Sequence, residues 1–158
     1  MFCFKKGFDI IMKVKECMTN SVCNCTPETT IQDVAKKMCS NHIGCLPVCD
    51  NTNNIVGLIT DRDIVLRSVA CGKDSKTTPI SEIMTTNVCC CDSNDEVNEA
   101  EKLMGTMQIK RIPVLDNNKV VGMLTVGNLV NDSKVTSIEV SNTVENICHC
   151  GPNAKNNE

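Results

Sequence analysis

One pattern of about sixty residues is written twice in this 158-residue chain, and that constrains the fold more than anything else in it. "ECMTNSVCNCTPETTIQDVAKKM" (16–38) aligns with "EIMTTNVCCCDSNDEVNEAEKLM" (82–104), placing Met18-Thr19 on Met84-Thr85, Val22 on Val88 and Met38 on Met104. The offset of 66 persists through "HIGCLPVCD" and "QIKRIPVLD", where Pro47 meets Pro113 and Asp50 meets Asp116. One residue is lost in the following turn, after which Gly57 meets Gly122 and Thr60 meets Thr125. A sequence that repeats a supersecondary unit builds its core by packing the copies together.

Each copy carries its own structural signals. Ile31, Val34, Ala35 and Met38 recur at the spacing of one helix face, and Val97, Ala100, Met104 and Met107 do much the same in the second copy. Thr30 with Asp33 reads as a capping pair, and Ser93 with Glu96 opens the second helix. "LPVCD" and "IPVLD" read as strands that begin at proline, where a missing N–H is tolerated. "IVGLIT" and "VVGMLT" are near-continuous apolar runs of the sort covered on both faces. "DRDIVLRSVA" is a second amphipathic helix, and "SVCNC" and "NVCCC" are the leading strands. The order per copy is βαββα, an α+β fold. The chain divides into an N-terminal extension (1–13), repeat 1 (14–71), a polar linker (72–79), repeat 2 (80–131) and a tail (132–158), in which 138–148 reads as a short helix and "GPNAKNNE" as frayed. Residues 1–11 read as a floppy arm or the product of an upstream start, and carry no functional weight.

Composition removes several classes of function. A net charge of −3 and a pI near 5.4 oppose a nucleic-acid footprint. Without Trp or Tyr there is no stacking surface for single strands. No apolar run approaches the length of a membrane span, and the start is a poor signal peptide. Thirteen cysteines without an export signal read as reduced thiols in a cytoplasmic protein. The runs "CNC", "CCC" and "CHC" invite a metal reading, with Cys148-His149-Cys150 the best candidate. Reduced cysteine as a small core residue is the plainer account. No paired carboxylates, nucleophile–base set or phosphate loop marks an enzyme.

The combination "MTxxV…P…A…M…IGxLPVxD…IVGLITDRDI", repeated in order over roughly residues 14–131, resembles the cystathionine-beta-synthase-type (CBS) domain, and the two copies resemble a stand-alone bacterial CBS pair, or Bateman module. The resemblance implies two βαββα units packed sheet to sheet about a pseudo-twofold axis, a homodimer, a regulatory role without catalysis and no bound cofactor. It also implies an adenine nucleotide (AMP, ADP or ATP) between the repeats, and an unknown regulated protein as partner. Carried over residue by residue, it assigns Thr60 and Asp63 to the ribose, and Lys110, Arg111 and Arg62 to phosphate. Ser21, Val22 and Ile43 go to adenine, and Thr125 and Asn128 to a degenerate second site. On this assignment the acid of repeat 1 and the cations of repeat 2 share one cleft with the adenine residues, while Gly44 and Cys45 leave the other without a cation. The cations favour a phosphate ligand over S-adenosylmethionine. Thr60-x-x-Asp63 is equally a plain capping box. Two other readings of the fold are a ligand-free interaction module and a thiol- or metal-based sensor.

Overall fold

In a computed structural model, residues 11–131 and 137–148 are described. Repeat 1 follows the short helix α1 (Val14–Cys17) with α2 (Ile31–Asn41), the strands β1 (Cys45–Cys49) and β2 (Ile55–Thr60), and α3 (Asp61–Ile64), which widens into a π-helical stretch, Val65–Val69. A 3₁₀ turn, Ile80–Glu82, leads into repeat 2. There β3 (Cys91–Asp92), α4 (Val97–Met107), β4 (Arg111–Asp116), β5 (Lys119–Thr125) and α5 (Val126–Asn131) precede α6 (Ser137–Cys148). The helix expected over 138–148 is α6, whereas His149, Cys150 and the "GPNAKNNE" end lie outside the described residues.

The antiparallel pair β1-β2 and the sheet β3-β4-β5 are the same object at two sizes. In both, the prolines pair across the sheet, Pro47 with Leu58 and Pro113 with Met123, and a bulge follows the next valine. The leading strands are shorter than expected. In repeat 1 only Cys25 pairs, as a parallel bridge to Val48, and in repeat 2 only Cys91 and Asp92 do so. Nor are β2 and β5 covered equally on both faces. Gly57 and Ile59 are buried while Val56 and Leu58 are half-buried, and Val120, Gly122 and Leu124 are buried while Val121 and Met123 are not.

Helix α2 buries Ile31, Val34 and Met38, and the Thr30 hydroxyl accepts the Asp33 N–H at 3.2 Å. In α4 the cap is Glu96, with Glu99 reaching back to its N–H. Ser93 instead lies buried upstream, its N–H bound to the Leu115 carbonyl at 2.8 Å. Met107 falls off the buried stripe and is 53% exposed, because the helix stops at the next residue. Both helices end on a left-handed residue, His42 (φ 54°) and Gln108 (φ 53°). The following N–H then closes on the carbonyl of Met38 or Met104 at 3.0 Å.

The two cores exchange segments. Ile80 and Ile83, at the start of repeat 2, are buried with Ile31, Val34, Leu46 and Ile59 of repeat 1. Met12 and Val14, at the entry to repeat 1, are buried with Met104, Ile112, Leu124 and Leu129 of repeat 2. Paired backbone hydrogen bonds fix each crossing: Thr19 with Met123 (2.9 and 3.0 Å) and Thr85 with Leu58 (2.8 and 2.9 Å). The repeated glycine explains itself here. A Cβ on Gly57 would lie 2.5 Å from the Met84 sulfur, and one on Gly122 would collide with the Met18 sulfur. Each Met-Thr segment lies on the glycine of the other copy.

Candidate functional site

The exchange decides which residues meet. Because Thr19 pairs with Met123, the stretch after it runs along repeat 2, and Ser21 and Val22 arrive beside Thr125. The left-handed turn at His42 brings Ile43, Gly44 and Cys45 to the same place. Arg111, at the start of β4 and in register with Thr125, closes the group. The result is a cleft of about 210 Å³ lined from both repeats, Thr19, Cys23 and Met123 included. It is smaller than the roughly 300–1,000 Å³ typical of drug-sized ligands. Arg111 is exposed where it lines the cleft.

This lining regroups the residues singled out in the sequence. Ser21, Val22, Ile43 and Arg111 do share one cleft, but with Thr125 and not with Thr60. Lys110 and Arg62 are exposed and do not line this cleft. Asp63 and the adenine residues do not share this cleft, because the crossing at Thr19 carries Ser21 and Val22 to repeat 2. The pseudo-twofold carries Thr19, Met123 and Thr125 onto Thr85, Leu58 and Thr60, so Asp63 belongs with the sister cleft. Thr19 and His42 went unassigned in the sequence. The exchanged Met-Thr segments could have been inferred only by asking what fills the space over the repeated glycine.

The two Thr-x-x-Asp/Asn turns are nearly superposable in their bonding. Asp63 Oδ2 accepts the Thr60 N–H (3.0 Å) and hydroxyl (2.7 Å), and the Asp63 N–H returns to Thr60 Oγ1 (3.1 Å). Asn128 Oδ1 accepts the same two groups from Thr125 at 2.9 and 2.7 Å, and its own N–H returns at 3.1 Å. The capping box therefore forms with either side chain. The copies differ in the remaining atom. Asn128 Nδ2 donates to Thr19 Oγ1 (3.1 Å), whereas Asp63 Oδ1 faces Arg67 Nη1 (3.4 Å), and Arg67 donates to Thr85 Oγ1 (3.2 Å) and the Ile83 carbonyl (2.9 Å). The Asp61 N–H bonds the Gly44 carbonyl at 3.1 Å, as the Val126 N–H bonds the Lys110 carbonyl at 3.1 Å, so Gly44 and Lys110 hold equivalent places in the two copies.

The cysteines of the described residues are free thiols. Burial pushes Cys25 up to about 11 and Cys45 up to about 12, although Lys37 and Arg111 respectively pull the other way. Burial likewise pushes Cys90 to about 11 and Cys91 to about 12. These thiols stay protonated near neutrality and pack as apolar groups. Among the described residues, no three His, Cys, Asp or Glu are placed to hold a metal ion, and no helix is long and apolar enough to cross a membrane.

Comparison with known proteins gives the same architecture. The CBS domain model matches twice, over residues 14–69 and 80–134. The chain is 35% identical over 136 residues to the CBS domain-containing protein YhcV of Bacillus subtilis, covering 86% of this chain and 95% of that one. It superposes on the CBS domain pair of protein MJ0100, solved in complex with 5-methylthioadenosine and S-adenosyl-L-methionine. The TM-score is 0.68 at 28% identity, with 76% and 94% of the two chains covered. It also superposes on Hypoxic Response Protein I, solved with two coordinated zinc ions (TM-score 0.70, 28% identity, 75% and 97% covered).

Proposed function

The chain belongs to the CBS-domain family, and from that premise we propose that this regulatory pair senses an adenine nucleotide (AMP, ADP or ATP) held between its repeats and signals its presence to a partner protein. The observation that carries this reading is the shared cleft of Ser21, Val22, Ile43, Thr125 and Arg111. Backbone and apolar atoms at Val22 and Ile43 suit a flat base. The Thr125 turn with Asn128 offers polar atoms to a ribose, and Arg111 offers a fork to phosphate. Adenosine-type ligands in the MJ0100 pair support the class of ligand, while Arg111 favours phosphates over the sulfonium cation found there. Thr60 and Asp63, with Lys110 and Arg62 as phosphate donors, provide a second place for the same class of ligand in the sister cleft.

Catalysis is no part of this reading. A homodimer is, since Val65, Leu66 and Val69 are 56%, 49% and 70% exposed on one helical turn and a second copy would cover them. The free thiols suit a reducing cytoplasm. Mass spectrometry of ligand extracted from the purified protein tests the proposal. An adenine nucleotide is expected. Stoichiometric zinc with no nucleotide would favour a metal sensor instead.

A further inference from the structure

On the Asp63 side of the pseudo-twofold, the carboxylate has a cation of its own beside it, Arg67. Arg67 lies within the π-helical stretch Val65–Val69, a backbone form common at functional sites. Its guanidinium Nη1 stands 3.4 Å from Asp63 Oδ1 and donates to Thr85 Oγ1 and the Ile83 carbonyl. Asp63 Oδ2 is already taken by the Thr60 N–H and hydroxyl. Both oxygens of the carboxylate that would receive a sugar diol are therefore engaged from within the chain. Thr85 is the counterpart of Thr19, which lines the described cleft, so the Arg67 head sits against the equivalent wall of the sister cleft. The Asp63 side chain is only 16% exposed, while that of Arg67 is 49% exposed. In repeat 2 the sequence carries an acid, Asp132, and no cation four residues beyond Asn128.

We propose that Arg67 is a specificity latch that reserves the Asp63 cleft for phosphorylated ligands. This rests on the adenine-ligand reading above. A neutral nucleoside that takes Oδ1 from Arg67 offers the guanidinium no anion in return, leaving it only its bonds to Thr85 and Ile83. A nucleotide exchanges one ion pair for another: its hydroxyls take Asp63 Oδ1, and its phosphate takes the guanidinium released beside it. The latch thus converts the presence of phosphate into access to the acid, and loosens the tie between repeat 1 and the Ile83–Thr85 segment as it does so.

The test is an NMR titration of the full chain and of Arg67→Gln with adenosine and with ATP, followed at the Asp63 and Thr85 amides, which report on this cleft. The wild type should prefer ATP to adenosine. In Arg67→Gln that preference should fall at least tenfold, with adenosine binding tighter than to the wild type. Equal ATP-to-adenosine ratios in the two proteins would overturn the latch while leaving nucleotide binding intact. Failure of both ligands to bind either protein would overturn the ligand reading and the latch together. In the ligand-free state, exchange of the Thr85 amide should be faster in Arg67→Gln, and an unchanged rate would show that the tie to segment 83–85 does not hold it.

Discussion

Asp63 and Asn128 answer the same local demand with different side chains, and what separates them is the neighbour four residues on. Asp63 has Arg67 to balance its charge, whereas the residue four beyond position 128 in the sequence is an acid, Asp132. We expect Asp63→Asn to unfold at nearly the wild-type temperature, since Asn128 already caps in that way. Asp63→Ala should cost about 1 kcal/mol, the usual worth of a lost cap. Equal losses in the two variants would mean that the charge, not the cap, is what the fold requires. Asp50 offers a second check. Bonds from Thr52 and from the Asn54 N–H hold its carboxyl down to about 2. Because the folded value is depressed, its contribution is complete above the ordinary carboxylate range near pH 4 and is lost as pH falls toward 2. A carboxyl titration midpoint near 4 for Asp50 would contradict that turn geometry. The buried thiols make a third expectation: Cys39, Cys71 and Cys148, which are exposed, should react with an alkylating reagent at neutral pH well before Cys25, Cys45 and Cys91. Mass mapping of the labelled peptides would read the order.

The elements were legible in the sequence where one face of a helix or one strand pair determines them. The stripe of Ile31, Val34 and Met38, the Thr30–Asp33 cap and the strands at Pro47 and Pro113 follow from local periodicity and turn chemistry. The leading strands are shorter than the sequence pattern implies because alternating cysteines mimic a strand, while Ser21 and Val22 line a cleft. The exchange of segments was not legible, for no local pattern says which copy a Met-Thr segment will cover. Gly122→Ala tests that contact. With Met18 in the way, the added methyl should cost about 1–3 kcal/mol, as overpacking does. Adding Met18→Ala should relieve part of it, so the pair should be clearly non-additive. Strict additivity would place Met18 elsewhere.

At the scale of the whole molecule, two similar units each complete the other's core, and the cleft between them depends on that exchange. Its residues come from the crossing segment, the left-handed turn and the start of β4, so no single repeat contains the site. The grouping of the site residues could not be read from sequence for that reason: Ser21, Val22, Ile43 and Arg111 line one cleft with Thr125 and not with Thr60. The measurement that bears most directly on this account is calorimetric titration of the wild type and Arg111→Ala with ATP and with S-adenosylmethionine. We predict ATP binding that weakens with added salt and falls at least tenfold, or about 1.4 kcal/mol, in the variant. Tighter binding of S-adenosylmethionine than of ATP, or unchanged ATP affinity without Arg111, would contradict it.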